Sequence, residues 1–127
     1  MARALSADAK PVVLVVDDDR DVLSAISFAL ATEGFEVAGF ARAESALSAR
    51  PPGVSCMIVD HNLPGRTGLD LVDRLRADGL AAPAVLMTTA PSAALRRSAD
   101  TRGVEILEKP LLGDVVSSTV RRLIEPA

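Results

Sequence analysis

Five apolar residues, Val12-Val13-Leu14-Val15-Val16, run without interruption into three carboxylates, Asp17-Asp18-Asp19. A short, mostly β-branched run with no polar alternation fits a strand buried on both faces, as strands are in a parallel sheet. Charge at the C-terminal end of such a strand falls where open α/β sheets place their ligands. Three more runs end the same way. Cys56-Met57-Ile58-Val59 leads into Asp60, and Ala84-Val85-Leu86-Met87 into Thr88-Thr89. Val104-Glu105-Ile106-Leu107 leads into Glu108-Lys109-Pro110. If the four strands lie parallel, carboxylates, a hydroxyl and an ammonium meet at one rim.

Between these runs the sequence alternates with helical patterns. Val22, Leu23, Ile26, Ala29 and Leu30 recur at helical spacing and stop at Gly34. Asp18 or Asp19 can cap that helix, and acid there suits the helix dipole. Phe35 to Phe40 predicts a shorter second strand, and Ala43 to Arg50 a short helix stopped by Pro51-Pro52-Gly53. His61 to Gly68 is turn-rich. Thr67 can cap a helix with Leu71, Val72 and Leu75 on one face, ending at Gly79. Pro91-Ser92 opens a helix to about Arg102 whose large apolar content is Leu95 alone, so little burial holds it and it is a candidate for motion. Leu112, Val116, Val120 and Leu123-Ile124 mark a last helix. Five strands alternating with five helices predict a single α/β domain: a doubly wound parallel sheet covered on both faces.

At 127 residues there is room for one domain with a real core, and with 49% apolar but only 2% aromatic residues that core is aliphatic. No apolar run is long enough to span a bilayer, and no signal-peptide segment follows the first charges. A net charge of −3, with no basic run, argues against direct nucleic-acid binding. A lone cysteine, Cys56, inside an apolar run fits a small core residue and a reducing, cytoplasmic setting. Residues 1–10 read as a flexible leader and 11–125 as the domain. No output domain is expected within these residues, whether the domain stands alone, shuttles phosphoryl groups in a relay or belongs to a longer regulator.

Asp17, Asp18 and Asp60 at one rim would crowd three negative charges. Two unit charges at ~4 Å repel by about 4 kcal/mol at an effective dielectric of about 20, so the cluster calls for a cation or a proton. All-oxygen ligands select a hard ion, and few carboxylates with open positions suit Mg²⁺ holding water and phosphate. A carboxylate can also be a nucleophile that forms an aspartyl-phosphate, a chemistry that needs mainly positioning and charge neutralisation. Taken singly, each residue has an ordinary reading: an aspartate after a strand is usually a cap or turn residue, Lys109 a solvated charge, Thr88 and Thr89 strand-end residues, and His61 a loop residue. Only their joint order at four successive strand ends points elsewhere.

That order resembles the receiver domain of two-component response regulators. The matching stretches are Val15-Val16-Asp17-Asp18-Asp19, then Val59-Asp60 with Leu63-Pro64 and Gly68, then Met87-Thr88-Thr89-Ala90, then Glu108-Lys109-Pro110, over Pro11 to Ile124. The resemblance implies a flavodoxin-like (βα)5 fold with strand order 2-1-3-4-5. It implies Asp60 as phosphoacceptor, and Mg²⁺ or Mn²⁺ held by Asp17, Asp18, Asp60 and the Asn62 main-chain oxygen. Thr89 and Lys109 would stabilise the phosphoryl group, the Lys109–Pro110 bond would be cis, and Asn62 and Pro91 would tune the phosphoryl lifetime. It implies a sensor histidine kinase or phosphotransfer protein as donor. A downstream protein would dock on the helix 4–strand 5–helix 5 face, with a homodimer as a further option. The module would be regulatory rather than a turnover enzyme. One position departs from the family: Ile106 stands where a Tyr or Phe switch is usual, and a β-branched side chain is stiff at its first torsion. Displacement of the Pro91–Arg102 helix is the expected substitute.

A haloacid-dehalogenase-type phosphohydrolase is the competing reading, with Asp17 as nucleophile and Asp19 as acid/base. That signature wants a threonine or valine where Asp21 stands, and a late acidic pair that does not follow Lys109. A flavodoxin-like cofactor binder would need a phosphate loop and stacking aromatics, which are missing.

Overall fold

The computed structural model describes residues 10–124, so most of the expected leader and the chain beyond Ile124 lie outside the described residues. Five parallel strands form one sheet: β1 (Val12–Val16), β2 (Glu36–Phe40), β3 (Val54–Asp60), β4 (Ala84–Thr88) and β5 (Glu105–Glu108), in the order β2-β1-β3-β4-β5. Five helices connect them: α1 (Arg20–Thr32), α2 (Ala43–Ala49), α3 (Gly68–Ala77), α4 (Ala93–Thr101) and α5 (Val115–Ile124). This is the doubly wound, flavodoxin-like (βα)5 architecture expected from the sequence.

The strand runs are continuously apolar because each residue faces one of two cores. Leu14, Val16, Met57, Val59 and Leu86 point to one face, against Ala46 of α2, Leu71 and Leu75 of α3 and Ala99 of α4. Val13, Val15, Ile58, Val85 and Met87 point to the other, against Ile26 and Leu30 of α1 and Val116 and Val120 of α5. Cys56 is buried in this second core, where desolvation pushes its thiol up to about 12, far from a reactive thiolate. Burying a Val, Leu or Ile side chain is worth about 1.5–3 kcal/mol, so these two apolar layers fix the sheet as a rigid base.

The helix starts follow the expected caps. The Asp19 carboxylate accepts from the Asp21 and Val22 amides at the head of α1, and the Thr67 hydroxyl accepts from the Asp70 amide at the head of α3. Ser92 does the same for α4 through the Leu95 amide. Two local expectations are revised. Leu112 is not part of the last helix: α5 begins at Val115, and Leu112 is 72% exposed in the turn before it. The His61–Gly68 segment is more ordered than a loop, because Asn62–Leu63 and Arg66–Thr67 pair as a two-residue antiparallel ladder around Pro64-Gly65.

Gly68, the first residue of α3, is fixed by close approach rather than by backbone angle. A Cβ there would lie 2.5 Å from the Asp60 carbonyl oxygen, 2.7 Å from Leu86 Cδ1 and 2.9 Å from His61 Cα. Two of these three neighbours are backbone and cannot swing away. Gly68→Ala is expected to destabilise the fold by about 2 kcal/mol, because overpacking costs outweigh the ~1 kcal/mol that alanine gains over glycine in a helix. Urea denaturation checks it; an unchanged or higher midpoint would show that the β3–α3 corner can open.

Candidate phosphoacceptor site

The rim that the strand ends share is formed as the sequence predicts. β1 and β3 are neighbours in register, Val16 beside Val59, so the next residue of each, Asp17 and Asp60, projects from the same edge. Asp17 is fully buried. Its Oδ1 accepts from the Asp19 amide at 2.9 Å, which turns the chain from β1 into α1. Asp60 is 5% exposed, the last residue of β3. The backbone after it is held by two bonds: the His61 amide donates to the Met87 carbonyl, and the Gly68 amide donates to the His61 carbonyl at 2.8 Å. Asp18 is exposed at the mouth.

Lys109 reaches the two buried acids from the far side of the sheet. Its Nζ stands 3.3 Å from Asp17 Oδ2 and 3.1 Å from Asp60 Oδ1. Its amide donates to the Thr88 carbonyl at 2.8 Å, and the Lys109–Pro110 peptide bond is cis, as expected. The electrostatics are those of a charge trap. Burial raises the Asp60 pKa above the ordinary carboxylate value; the Lys109 hydrogen bond opposes that, and repulsion from Asp17 and Asp18 adds to it. For Lys109 burial alone would favour the neutral amine, but its bonds to Asp60 and the field of Asp17 outweigh burial, and the net shift is upward. One ammonium therefore faces three carboxylates, and the site carries a net negative charge.

That surplus fits a cation. Asp17, Asp18 and Asp60 can each offer one oxygen, all within 4.8 Å of one another. An all-oxygen donor set of this kind selects a hard ion and leaves positions open for other ligands.

The remaining candidates are distributed around this centre. Thr88 is the last residue of β4 and is buried, whereas Thr89 is exposed on the rim and shares a cavity of about 460 Å³ with Lys109, Pro110, Leu111 and the α1 residues Val22, Ala25 and Ile26. Ala90 follows Thr89 in the left-handed region at φ 47°, and half-buried Pro91 leads to the cap of α4. Asn62 is exposed on the short ladder after Asp60. Ile106 pairs in register with Leu86 and packs half-buried against the core on the α2–α4 side. Two nitrogens on the segment after Asp60 gave no signal in the sequence: among the described residues, His61 Nδ1 and Arg66 Nε are buried without a hydrogen-bond partner. A loop histidine and a loop arginine carry no sequence signal for that state.

The competing hydrolase geometry is not supported. Asp17 would have to attack a substrate, but both of its oxygens are engaged, one by the Asp19 amide and one by Lys109, and neither is exposed.

The chain resembles known proteins over most of its length. The transcriptional regulatory protein FixJ of Bradyrhizobium diazoefficiens is 32% identical over 91% of this chain, which covers 57% of FixJ. The probable transcriptional regulatory protein TcrX of Mycobacterium tuberculosis is 31% identical over 93% of this chain and 52% of its own. The chain thus spans about half the length of these curated relatives. Among solved structures, the chemotaxis protein CheY4 of Vibrio cholerae superposes with a TM-score of 0.83 at 28% identity, covering 91% of this chain and 99% of that one. Residues 13–121 match the family model of the response regulator receiver domain. With that family model spanning most of the chain and relatives above 30% identity, the chain belongs to the receiver domains of two-component response regulators.

Proposed function

We propose that Asp60 is the phosphoacceptor of a signalling module spanning residues 11–125, supplied by a phosphohistidine on a sensor histidine kinase or phosphotransfer protein. The observation that carries this is the Lys109 ammonium bridging Asp17 and Asp60 beside a third carboxylate. An Asp60 oxygen attacks the donor phosphorus, the phosphorus–nitrogen bond breaks, and the imidazole leaves and takes a proton from water. Lys109 is placed to follow the charge from the Asp60 carboxylate to a phosphoryl oxygen. The Thr89 hydroxyl, three residues before the α4 cap, donates to another and draws its loop inward. Asp17, Asp18, Asp60 and the Asn62 main-chain oxygen would hold Mg²⁺ or Mn²⁺, which when bound supplies the charge neutralisation that phosphoryl transfer requires. Asn62 and Pro91, flanking the site, govern access of the water that later cleaves the acyl-phosphate.

The role is regulatory and cytoplasmic, with self-dephosphorylation as the only turnover. The output surface is the α4–β5–α5 face, where a downstream protein or a second copy docks and nucleic acid is not touched directly. None of the described helices is long and apolar enough to cross a membrane. Ile106 has no hydroxyl and little torsional freedom, so movement of α4 rather than an aromatic flip carries the signal.

Three outcomes are expected. With a small phosphodonor and Mg²⁺, peptide mapping should place the label on Asp60, and Asp60→Asn should abolish it; label on Asp17 would reinstate the hydrolase. Without metal, Asp60→Asn should stabilise the protein at neutral pH by about 1 kcal/mol, by removing the burial cost of the carboxylate and its repulsion from Asp17 and Asp18, which Lys109 offsets only in part. The folded state holds the Asp60 proton to higher pH than the unfolded chain does. The penalty is therefore absent below the ordinary carboxylate pKa of about 3.9 and grows as pH rises through the raised value. Denaturation midpoints across that window test this, and parallel pH profiles for wild type and variant would contradict it. Finally, beryllium fluoride with Mg²⁺ should shift the backbone resonances of α4; a still helix would remove it from the signalling route.

A further inference from the structure

The residues that hold α4 are unequal at its two ends. Its C-terminal end is fastened to α3 and to the loop before β4. Arg76 of α3 donates from Nη1 to the Arg102 carbonyl at 2.7 Å and from Nη2 to the Ala82 carbonyl at 3.2 Å. The Arg102 guanidinium in turn pairs with Asp73 of α3 at 2.9 Å and reaches back to the Ser98 carbonyl. Ala99, the one buried residue of α4, lies at this end, and its carbonyl accepts the Val104 amide that closes the helix before Gly103 leads into β5. The N-terminal end has far less. Ala93, Ala94, Arg96 and Arg97 are exposed, and Leu95 is only half-buried against the core. Among the described residues its one side-chain link to another element is Arg96 Nη2 to Glu108 Oε2 at 2.7 Å, with both side chains more than half exposed.

Glu108 is the residue immediately before Lys109, on the strand whose lysine holds Asp60. On the other side, only Ala90, Pro91 and Ser92 separate Thr89 from α4. Pro91 has a fixed φ and Ala90 sits in a left-handed step, so this connection is stiff and passes a displacement of Thr89 to the helix start. We propose that α4 is a lever: it pivots about the Arg76–Arg102–Asp73 clamp, and the Arg96–Glu108 ion pair is the latch that holds its free end to the lysine end of β5. The proposal rests on Asp60 being the phosphoacceptor. It assigns to the latch the part that a switch aromatic cannot play when the position is Ile106. A solvent-exposed pair suits a latch because it is weak enough to be opened by small shifts at Thr89 and Lys109.

Amide hydrogen exchange of the whole chain, without phosphodonor or metal, tests this. Glu108→Gln, an exposed substitution that the fold should tolerate, is expected to accelerate exchange at Leu95, Arg96 and Arg97 about two- to fivefold. Arg102, Gly103 and Val104 should stay unchanged. The charge-reversed pair Arg96→Glu/Glu108→Arg should restore the wild-type profile, whereas Asp73→Asn should accelerate exchange at the clamped end instead. A uniform response along α4, no response to Glu108→Gln, or no rescue by charge reversal would overturn the lever. Because the measurement needs no phosphoryl group, it reads the clamp and the latch separately from labelling: a failure to label Asp60 removes the lever's signal but not the unequal exchange, and a flat exchange profile in a chain that labels at Asp60 condemns the lever alone.

Discussion

The contact on which the site depends is the pair of ion bonds from Lys109 to Asp17 and Asp60. Ninety-two residues separate Lys109 from Asp17, and the sheet order brings them together: β1 and β3 are adjacent, and β5 lies two strands beyond β3, across β4. Burying Asp17 and Asp60 without that ammonium would strand two carboxylates in a medium where each costs several kcal/mol. Even with it the balance is incomplete, since Asp60 remains displaced upward and Asp18 adds a third charge. A site with a standing deficit of positive charge suits a cation, and on the proposed reading its neutralised form would then receive an anionic phosphoryl group. Its reactivity and its local instability are one property.

The rigidity needed to hold such a deficit comes from the two apolar layers. The sheet residues next to the acids, Val16, Val59 and Met87, are fully buried, so the ends of β1 and β3 cannot separate to relieve the repulsion. Gly68 makes the same point from outside, because α3 starts so close to the Asp60 carbonyl that a single methyl group does not fit. Backbone packing thereby fixes the position of Asp60, and its side chain is tied through Oδ1 to Lys109.

Much of this was legible in the residue order, for reasons that differ by element. The strands were legible because burial on both faces produces runs such as Val12–Val16 that few other structures require. The site was legible because its residues sit at strand ends, where position in sequence dictates position on the rim. The strand order was not contained in the apolar pattern; it entered through the family resemblance. Leu112 misled because its spacing from Val116 and Val120 continues the helical period, while Gly113, at a positive φ, breaks the backbone between them. The Asn62–Leu63 ladder is two residues long, below the length at which alternation carries information. The polar anchors of α4 were invisible for another reason: an arginine such as Arg76 looks like a solvated helix residue until a carbonyl 26 positions away is placed beside it.

The helix with the poorest apolar pattern illustrates how those anchors change its meaning. By burial alone α4 is simply loose, and a loose helix transmits nothing, because its motion is uncorrelated with the site. With its far end clamped through Arg76 and Asp73, the remaining freedom is a swing of the near end, the end attached through Ala90–Ser92 to Thr89 and through Arg96 to Glu108. On the proposed reading, a charged group arriving at Asp60 would act on Thr89 and Lys109 and so on both attachments at once. Ile106, packed stiffly beneath the helix, then serves as a fixed surface over which α4 moves, and the absence of an aromatic at that position becomes compatible with switching.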